Sequence, residues 1–193
     1  MKNRLIYSIL AVGLLFSTTA VSAQAFSVGT KHLSLGVGFG GYFSYAYFGD
    51  FSSTPTIFIA YDQGIIDELG PGNLGVGGFL AYKSSKYDYS YVNYSQTGTW
   101  TDFVIGARGT YHWPLDNEKI DLYGALSLGL AFQSYKFESD DPFYDNYDYD
   151  ANSSFLYYSF SVGGKYMFSE KLGVFAELGY DIAYLKAGVT LGL

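Results

Sequence analysis

The sequence predicts an all-β fold, an eight-stranded antiparallel up-and-down transmembrane barrel, and three observations predict it. Apolar residues recur at every second position through most of the chain, the period of a strand with two unlike faces. Aromatic residues make up 20% of the chain and charged residues only 15%, the reverse of what a barrel wetted by water needs on its outside. After the N-terminal segment no uninterrupted apolar run is long enough for a spanning helix, so strands must do the crossing.

The start of the chain reads as a cleavable leader. Lys2 and Arg4 supply positive charge, Leu5 to Phe16 an apolar run, and Val21-Ser22-Ala23 a small-residue cleavage site. The run is shorter than the roughly 20 residues of a membrane anchor. Residues 1–23 are therefore assigned to the signal peptide and 24–193 to the barrel, with Ala23-Gln24-Ala25 a second acceptable site. The chain has no Cys, which excludes disulfides, a lipid on an N-terminal Cys, and thiolate chemistry. Its formal net charge of −7 argues against nucleic acid, which is bound through clustered Lys and Arg.

The strands follow in order. Leu33, Leu35, Val37 and Phe39 alternate with Ser34, Gly36, Gly38 and Gly40; Thr56 to Asp62 forms a shorter second segment; Leu74, Val76, Gly78, Leu80 and Tyr82 mark the third. In the fourth, Phe103, Ile105, Ala107, Gly109 and Tyr111 oppose Asp102, Gly106, Arg108 and Thr110. The fifth sets Ile120, Leu122, Leu126, Leu128, Leu130 and Phe132 against Ser127, Gly129 and Gln133. The sixth sets Leu156, Tyr158, Phe160, Val162 and Tyr166 against Ser159, Ser161, Gly163 and Lys165. Val174, Ala176, Leu178 and Tyr180 oppose Glu177 and Gly179, and Leu185 to Leu193 carry the last alternation, with Lys186, Gly188 and Thr190 facing away. Short turns at Phe168–Lys171 and Trp113–Lys119 alternate with polar external loops at Tyr87–Thr97 and Phe137–Ser153, as outer-membrane barrels require. Gln63–Asn73 is long for a periplasmic turn, and Tyr180–Tyr184 is tight for an external loop.

In a water-soluble barrel the bulky face would fill the interior and the other would carry many charges. Here the second face is Gly, Ser, Ala and Thr with single charges, which suits the narrow lumen of eight strands. The lumen charges are read as Arg108, Lys165, Glu177 and Lys186, with Asp102 and Lys83 nearer the strand ends. A charge there is costly unless paired, so Glu177 is expected to meet Lys165 or Lys186, with Arg108 a candidate further off.

The run Lys165-Tyr166-Met167-Phe168-Ser169-Glu170-Lys171-Leu172-Gly173-Val174-Phe175-Ala176-Glu177-Leu178-Gly179-Tyr180, followed by Leu185-Lys186-Ala187-Gly188, resembles the C-terminal hairpins of small porin-like outer-membrane β-barrel proteins of Bacteroidetes-type Gram-negative bacteria. The resemblance implies an outer-membrane barrel and outer-membrane lipid as its solvent. The spacing of Lys186, Gly188, Leu191 and Leu193 resembles the signal read by the barrel assembly machinery, with Leu193 standing where that signal usually has an aromatic.

Motifs that might carry chemistry are weak. Gly36-Val37-Gly38-Phe39-Gly40-Gly41 has the spacing of a dinucleotide loop, but no helix follows it. His32 and Ser34 share a strand face, where a lipid hydrolase would need a third, orienting group that the sequence does not place. His112 beside Trp113 and Pro114 reads as part of an interfacial anchor. The six carboxylates from Glu138 to Asp150, among them Asp140, Asp141, Asp145, Asp148 and Asp150, lack the spacing of a calcium loop. No metal or cofactor is expected. The functional expectation is a non-enzymatic barrel, structural or a narrow porin-like pore. The alternative is surface recognition or adhesion by acidic, Tyr-rich external loops that include Tyr87, Tyr89, Tyr91 and Tyr94 and could hold a host molecule, another cell component or Ca²⁺, and the third is a lipid-modifying enzyme. No external ligand is named by the sequence.

Overall fold

Each alternating segment forms a strand, and the strands close on themselves. The computed structural model describes residues 26–41, 50–91, 94–139 and 149–193. The leader at 1–23 and the acidic residues Asp140, Asp141, Asp145 and Asp148 lie outside the described residues. The strands are β1 (Lys31–Phe39), β2 (Asp50–Ser53), β3 (Thr56–Leu69), β4 (Gly72–Tyr91), β5 (Tyr94–Trp113), β6 (Ile120–Ser139), β7 (Tyr149–Ser169), β8 (Leu172–Tyr180) and β9 (Leu185–Gly192). Each pairs antiparallel with its neighbours, and the ring runs β1–β3–β4–β5–β6–β7–β8–β9 and back to β1.

Closure gives eight staves because β2 continues β3 on the same side of β4. Ser53 lies opposite Ser85 of β4, and Ile57 opposite Tyr82. The extra residue falls at Thr54–Pro55, a bulge at which proline's missing N–H leaves no ladder bond open. Thr54 compensates by bonding the Ser84 carbonyl with its backbone N–H at 2.9 Å and its hydroxyl at 3.1 Å.

The register shows what the outside of the ring is made of. From Tyr166 of β7 the successive partners are Val174, Val189, Leu35, Ile59, Leu80, Ile105 and Leu130, and the row returns to β7 at Leu156, ten residues from its start. Such an offset tilts the strands by about 35–45° to the axis. Every member of the row is apolar or aromatic and exposed, a surface that water expels and hydrocarbon accepts. Aromatic pairs border it on both sides. At one rim Phe103 meets Phe132 at 6.4 Å and Tyr158 meets Tyr180 at 6.2 Å; at the other Tyr111 meets Trp113 at 5.3 Å and Tyr166 meets Phe168 at 5.4 Å. This is the belt and double girdle of a transmembrane barrel. The short turns share the second rim with Leu193, whose N–H donates to the Lys31 carbonyl at 3.0 Å, so that rim is the periplasmic one.

Several expectations need correction. Gln63–Asn73 is not a long turn: β3 continues to Leu69 through two register irregularities and reverses at Gly70, φ 65°. Of the loop read at Tyr87–Thr97, Tyr87–Tyr91 and Tyr94–Thr97 are strand, paired from Tyr87↔Gly98 out to Tyr91↔Tyr94. Phe137–Ser139 and Tyr149–Ser153, read as loop, belong to β6 and β7. Polar, Tyr-rich sequence disguised these extensions, because above the girdle both faces of a sheet meet water and the greasy face disappears. The lumen also holds more than small residues, since Phe58, Phe79, Tyr123, Tyr157 and Phe175 are buried within it.

The belt makes a direct prediction. Leu126→Arg, in its middle, should cost about 2–4 kcal/mol, whereas Ser134→Arg, above the girdle, should cost about 0–1; urea unfolding in lipid vesicles measures both.

Candidate functional site

Inward phase places a charge on nearly every strand, and five of these charges, with Asp181 from the connection after β8, join into one chain. At its lower end Lys165 Nζ lies 3.3 Å from Asp62 Oδ2. Asp62 Oδ1 lies 3.0 Å from Arg108 Nε, close enough for strong attraction although the N–H is not aimed at the oxygen. Arg108 Nη2 donates to Glu177 Oε1 at 2.9 Å, and Lys186 Nζ lies 2.6 Å from Glu177 Oε2. Lys186 reaches on to Asp181 Oδ2 at 2.5 Å, and the Tyr157 hydroxyl donates to Asp181 Oδ1. Three cations thus face three carboxylates, all almost wholly buried, the arrangement that makes buried charge tolerable. Rings fill the gaps: Lys186 Nζ lies 4.1 Å from the Phe58 ring centre and Lys165 Nζ 4.9 Å from that of Tyr123.

Arg108, Lys165, Glu177 and Lys186 therefore meet in one network. Glu177 takes Arg108 and Lys186, and Lys165 turns instead to Asp62. Asp102 stands apart, nearer the outer mouth, accepting from Gln133 Nε2 at 2.8 Å. Asp62 was legible as the inward end of its short segment, but its partners depend on register. Asp181 gave no signal at all. It sits in the tight 181–184 connection, which folds into the barrel: Asp181, Ile182 and Ala183 are buried, and the Ile182 N–H donates to the Tyr157 hydroxyl at 3.0 Å. Gly41 makes room for it at φ 122°, where a Cβ would lie 1.9 Å from the Ile182 carbonyl oxygen.

The periplasmic end is filled as well. Phe26 stacks on His112 at 3.6 Å and 8° and tilts against His32 at 5.5 Å. Gly75 leaves the space, since a Cβ there would come within 2.9 Å of the Phe26 ring. His112 is thus a lumen residue and not an interfacial anchor. Its Nδ1 lies 2.7 Å from Asp121 Oδ1 and its Nε2 2.8 Å from Thr110 Oγ1. With Nδ1 donating to the carboxylate, Nε2 accepts the threonine hydroxyl. This hydroxyl–imidazole–carboxylate relay lies beneath the Phe26 ring, and its evident work is to fix the imidazole as a seat for that ring. Ser34 also faces inward, donating to Thr190 Oγ1 at 3.1 Å and not to His32.

Above the outer girdle β4, β5, β6 and β7 continue as a projecting sheet, with β2 alongside β4. β4 and β5 run on from Ser84 and Thr101 to Tyr91 and Tyr94, about 25 Å of strand. Its outward face carries hydroxyls and ion pairs. Lys86 Nζ lies 2.9 Å from Asp88, and Lys136 Nζ 2.5 Å from Glu138; Asp150 stands opposite Lys136. The Lys86 ammonium, then the Thr97 hydroxyl, holds the Asp88 carboxyl below its usual range, and Lys136 does the same for Glu138. The assembly-signal residues lie at the other end of the barrel or along β9, with Leu191 and Leu193 exposed to the outside and Lys186 inside.

No family model matches the sequence, and no curated protein matches it. Among solved structures the chain is similar to Ail, the attachment invasion locus protein of Yersinia pestis, in complex with the heparin analogue sucrose octasulfate, at 18% identity over 84% of this chain and 94% of that one, TM-score 0.48. It is also similar to the N-terminal β-barrel domain of Pseudomonas aeruginosa OprF, at 19% identity over 86% of this chain and 96% of that one, TM-score 0.42.

Two outcomes follow from this geometry. Glu177→Ala strands Arg108 and Lys186 without their shared carboxylate and should lower stability by about 3–5 kcal/mol, read from the urea midpoint in vesicles. The outer-face pairs are present above the ordinary carboxylate pKa and open only as pH falls through the depressed values of Asp88 and Glu138. Carboxyl NMR titration should therefore find both midpoints below those of unpaired Asp and Glu, with heat-shifted gel mobility unchanged across that range.

Proposed function

We propose that this chain is an outer-membrane barrel whose work is recognition at the cell surface, carried by the projecting sheet. The observation that carries the proposal is a lumen occupied from end to end: Phe26 at the periplasmic mouth, six paired charges and their aromatic neighbours in the middle, and Asp181–Ala183 folded in from above. A pore needs a continuous wet path, which eight strands filled in this way do not offer. A purely structural barrel needs no strands beyond the girdle, yet β4 to β7 extend well past it. The lipid-enzyme reading loses support because His32 and Ser34 face the lumen and not the lipid. The leader supports export, and the C-terminal hairpin's likeness to Bacteroidetes-type barrels supports a Gram-negative outer membrane, reached through the barrel assembly machinery.

In planar bilayers the refolded chain is expected to give no discrete conductance steps, and steady steps would refute the sealed lumen. Replacing Ser84–Thr101 by a two-residue turn should leave heat-shifted gel mobility intact while abolishing adherence of expressing cells to their natural surface. Adherence unchanged by that replacement would remove the recognition reading.

A further inference from the structure

The charge chain ends, on its outer side, in a cluster built differently from the rest. Lys186, Glu177 and Asp181 are 1, 2 and 3% exposed. Lys186 Nζ lies 2.5 Å from Asp181 Oδ2 and 2.6 Å from Glu177 Oε2, and the Phe58 ring, its centre 4.1 Å away, packs beside the same nitrogen. The second oxygen of Asp181, Oδ1, accepts two donors, the Tyr157 hydroxyl and the Ile182 N–H, the latter at 2.6 Å. Gly38 of β1 leaves room for the lysine stem, since a Cβ there would stand 3.0 Å from Lys186 Cγ. The lower pair lacks these features. Lys165 reaches Asp62 Oδ2 only at 3.3 Å, and Asp62 Oδ1 has no hydrogen-bond donor among the described residues.

We propose that this cluster makes a covalent bond within the chain, an amide between the Lys186 side-chain nitrogen and the Asp181 side-chain carbon. The inference does not depend on what the projecting sheet recognises. Each requirement of the reaction has a group in place. The nucleophile must be an uncharged amine and the electrophile an uncharged acid, and one proton passed from the ammonium to Asp181 Oδ2 makes both. In a dry enclosure that transfer removes two charges whose burial is costly. Nζ, held beside its target and not diffusing to it, then attacks Cγ. Negative charge grows on Oδ1, where the Tyr157 hydroxyl and the Ile182 N–H already donate as an oxyanion hole does. Glu177 takes one proton from the attacking nitrogen and passes it to Oδ2. The Nζ–Cγ bond forms, the Cγ–Oδ2 bond breaks, and Oδ2 leaves as water. Nothing is oxidised or reduced, and no co-reactant is needed. Glu177 ends as it began, a carboxylate accepting from Arg108. The charges that remain are Lys165 and Arg108 against Asp62 and Glu177, so the lumen stays balanced.

Intact-mass spectrometry of the full chain tests this. The chain refolded in detergent, incubated and then denatured is expected to weigh about 18 Da less, one water, than the same preparation kept unfolded in urea. Trypsin, which cuts after a free lysine, should leave the bond after Lys186 intact. Lys186→Arg keeps the positive charge but offers no amine, so its mass should show no deficit. Asp181→Asn should lose about 17 Da, as ammonia in place of water. Glu177→Gln should slow bond formation about a hundredfold, and Tyr157→Phe, which removes one donor and no charge, should slow it by a similar factor. Heat-shifted gel mobility reports whether each variant folds, and Tyr157→Phe keeps the rate test available if Glu177→Gln does not. A folded wild-type chain that keeps the mass of the unfolded one after prolonged incubation overturns the proposal. So does a deficit that persists in Lys186→Arg, as closure of Asp181 onto its own backbone would give, and bond formation at the wild-type rate in the folded variants removes the roles assigned to Glu177 and Tyr157.

Discussion

A strand that enters hydrocarbon must have both its edges bonded, because nothing else there will satisfy a peptide group. That constraint forces the chain into a ring, and the rest of the molecule follows from it. The ring fixes which face of each strand meets lipid, so one unbroken hydrogen-bonded row of apolar residues winds once around the outside. It also encloses a space too narrow for bulk water, into which every inward residue must fit beside its neighbours from seven other staves.

The charge chain is the answer to that enclosure. Arg108 alone, buried at this depth, would be intolerable; between Asp62 and Glu177 it becomes a brace linking β3, β5 and β8. Lys186 extends the brace to β9 and to the inward-folded Asp181. Residues far apart in sequence thereby hold the cross-section at one shape.

Period two made the staves legible, and its phase puts Arg108, Lys165, Glu177 and Lys186, all buried, on the side away from the exposed apolar row. Phase says nothing about partners. Those depend on the stagger between strands, so Lys165 and Asp62 could be placed inside without being paired. His112 was misread because its neighbours Trp113 and Pro114 advertise an interface, while its own inward phase was the better guide. The projecting strands were hidden for another reason. Alternation is visible only where the two sides of a sheet differ in solvent, and above the girdle Thr97, Thr99 and Thr101 face water just as Gln96 and Trp100 border it. The inward fold of Asp181–Ala183 left no trace in the pattern, since it depends on space left by residues of β1 and on a hydroxyl from β7.

β7 pairs with β8 only from Phe160 downward. From Tyr149 to Ser159 its described strand pairing is with β6 alone, along an edge that carries neither Pro nor Lys, the usual guards against strands joining between molecules. Two copies in one membrane are nevertheless poorly placed to zip together there. A twofold rotation about the membrane normal turns one tilted strand into another leaning the opposite way, so the two edges cross at about 70–90° and no ladder can run between them. Confinement to a plane thus does for this edge what a proline or a lysine does for a protein free to tumble.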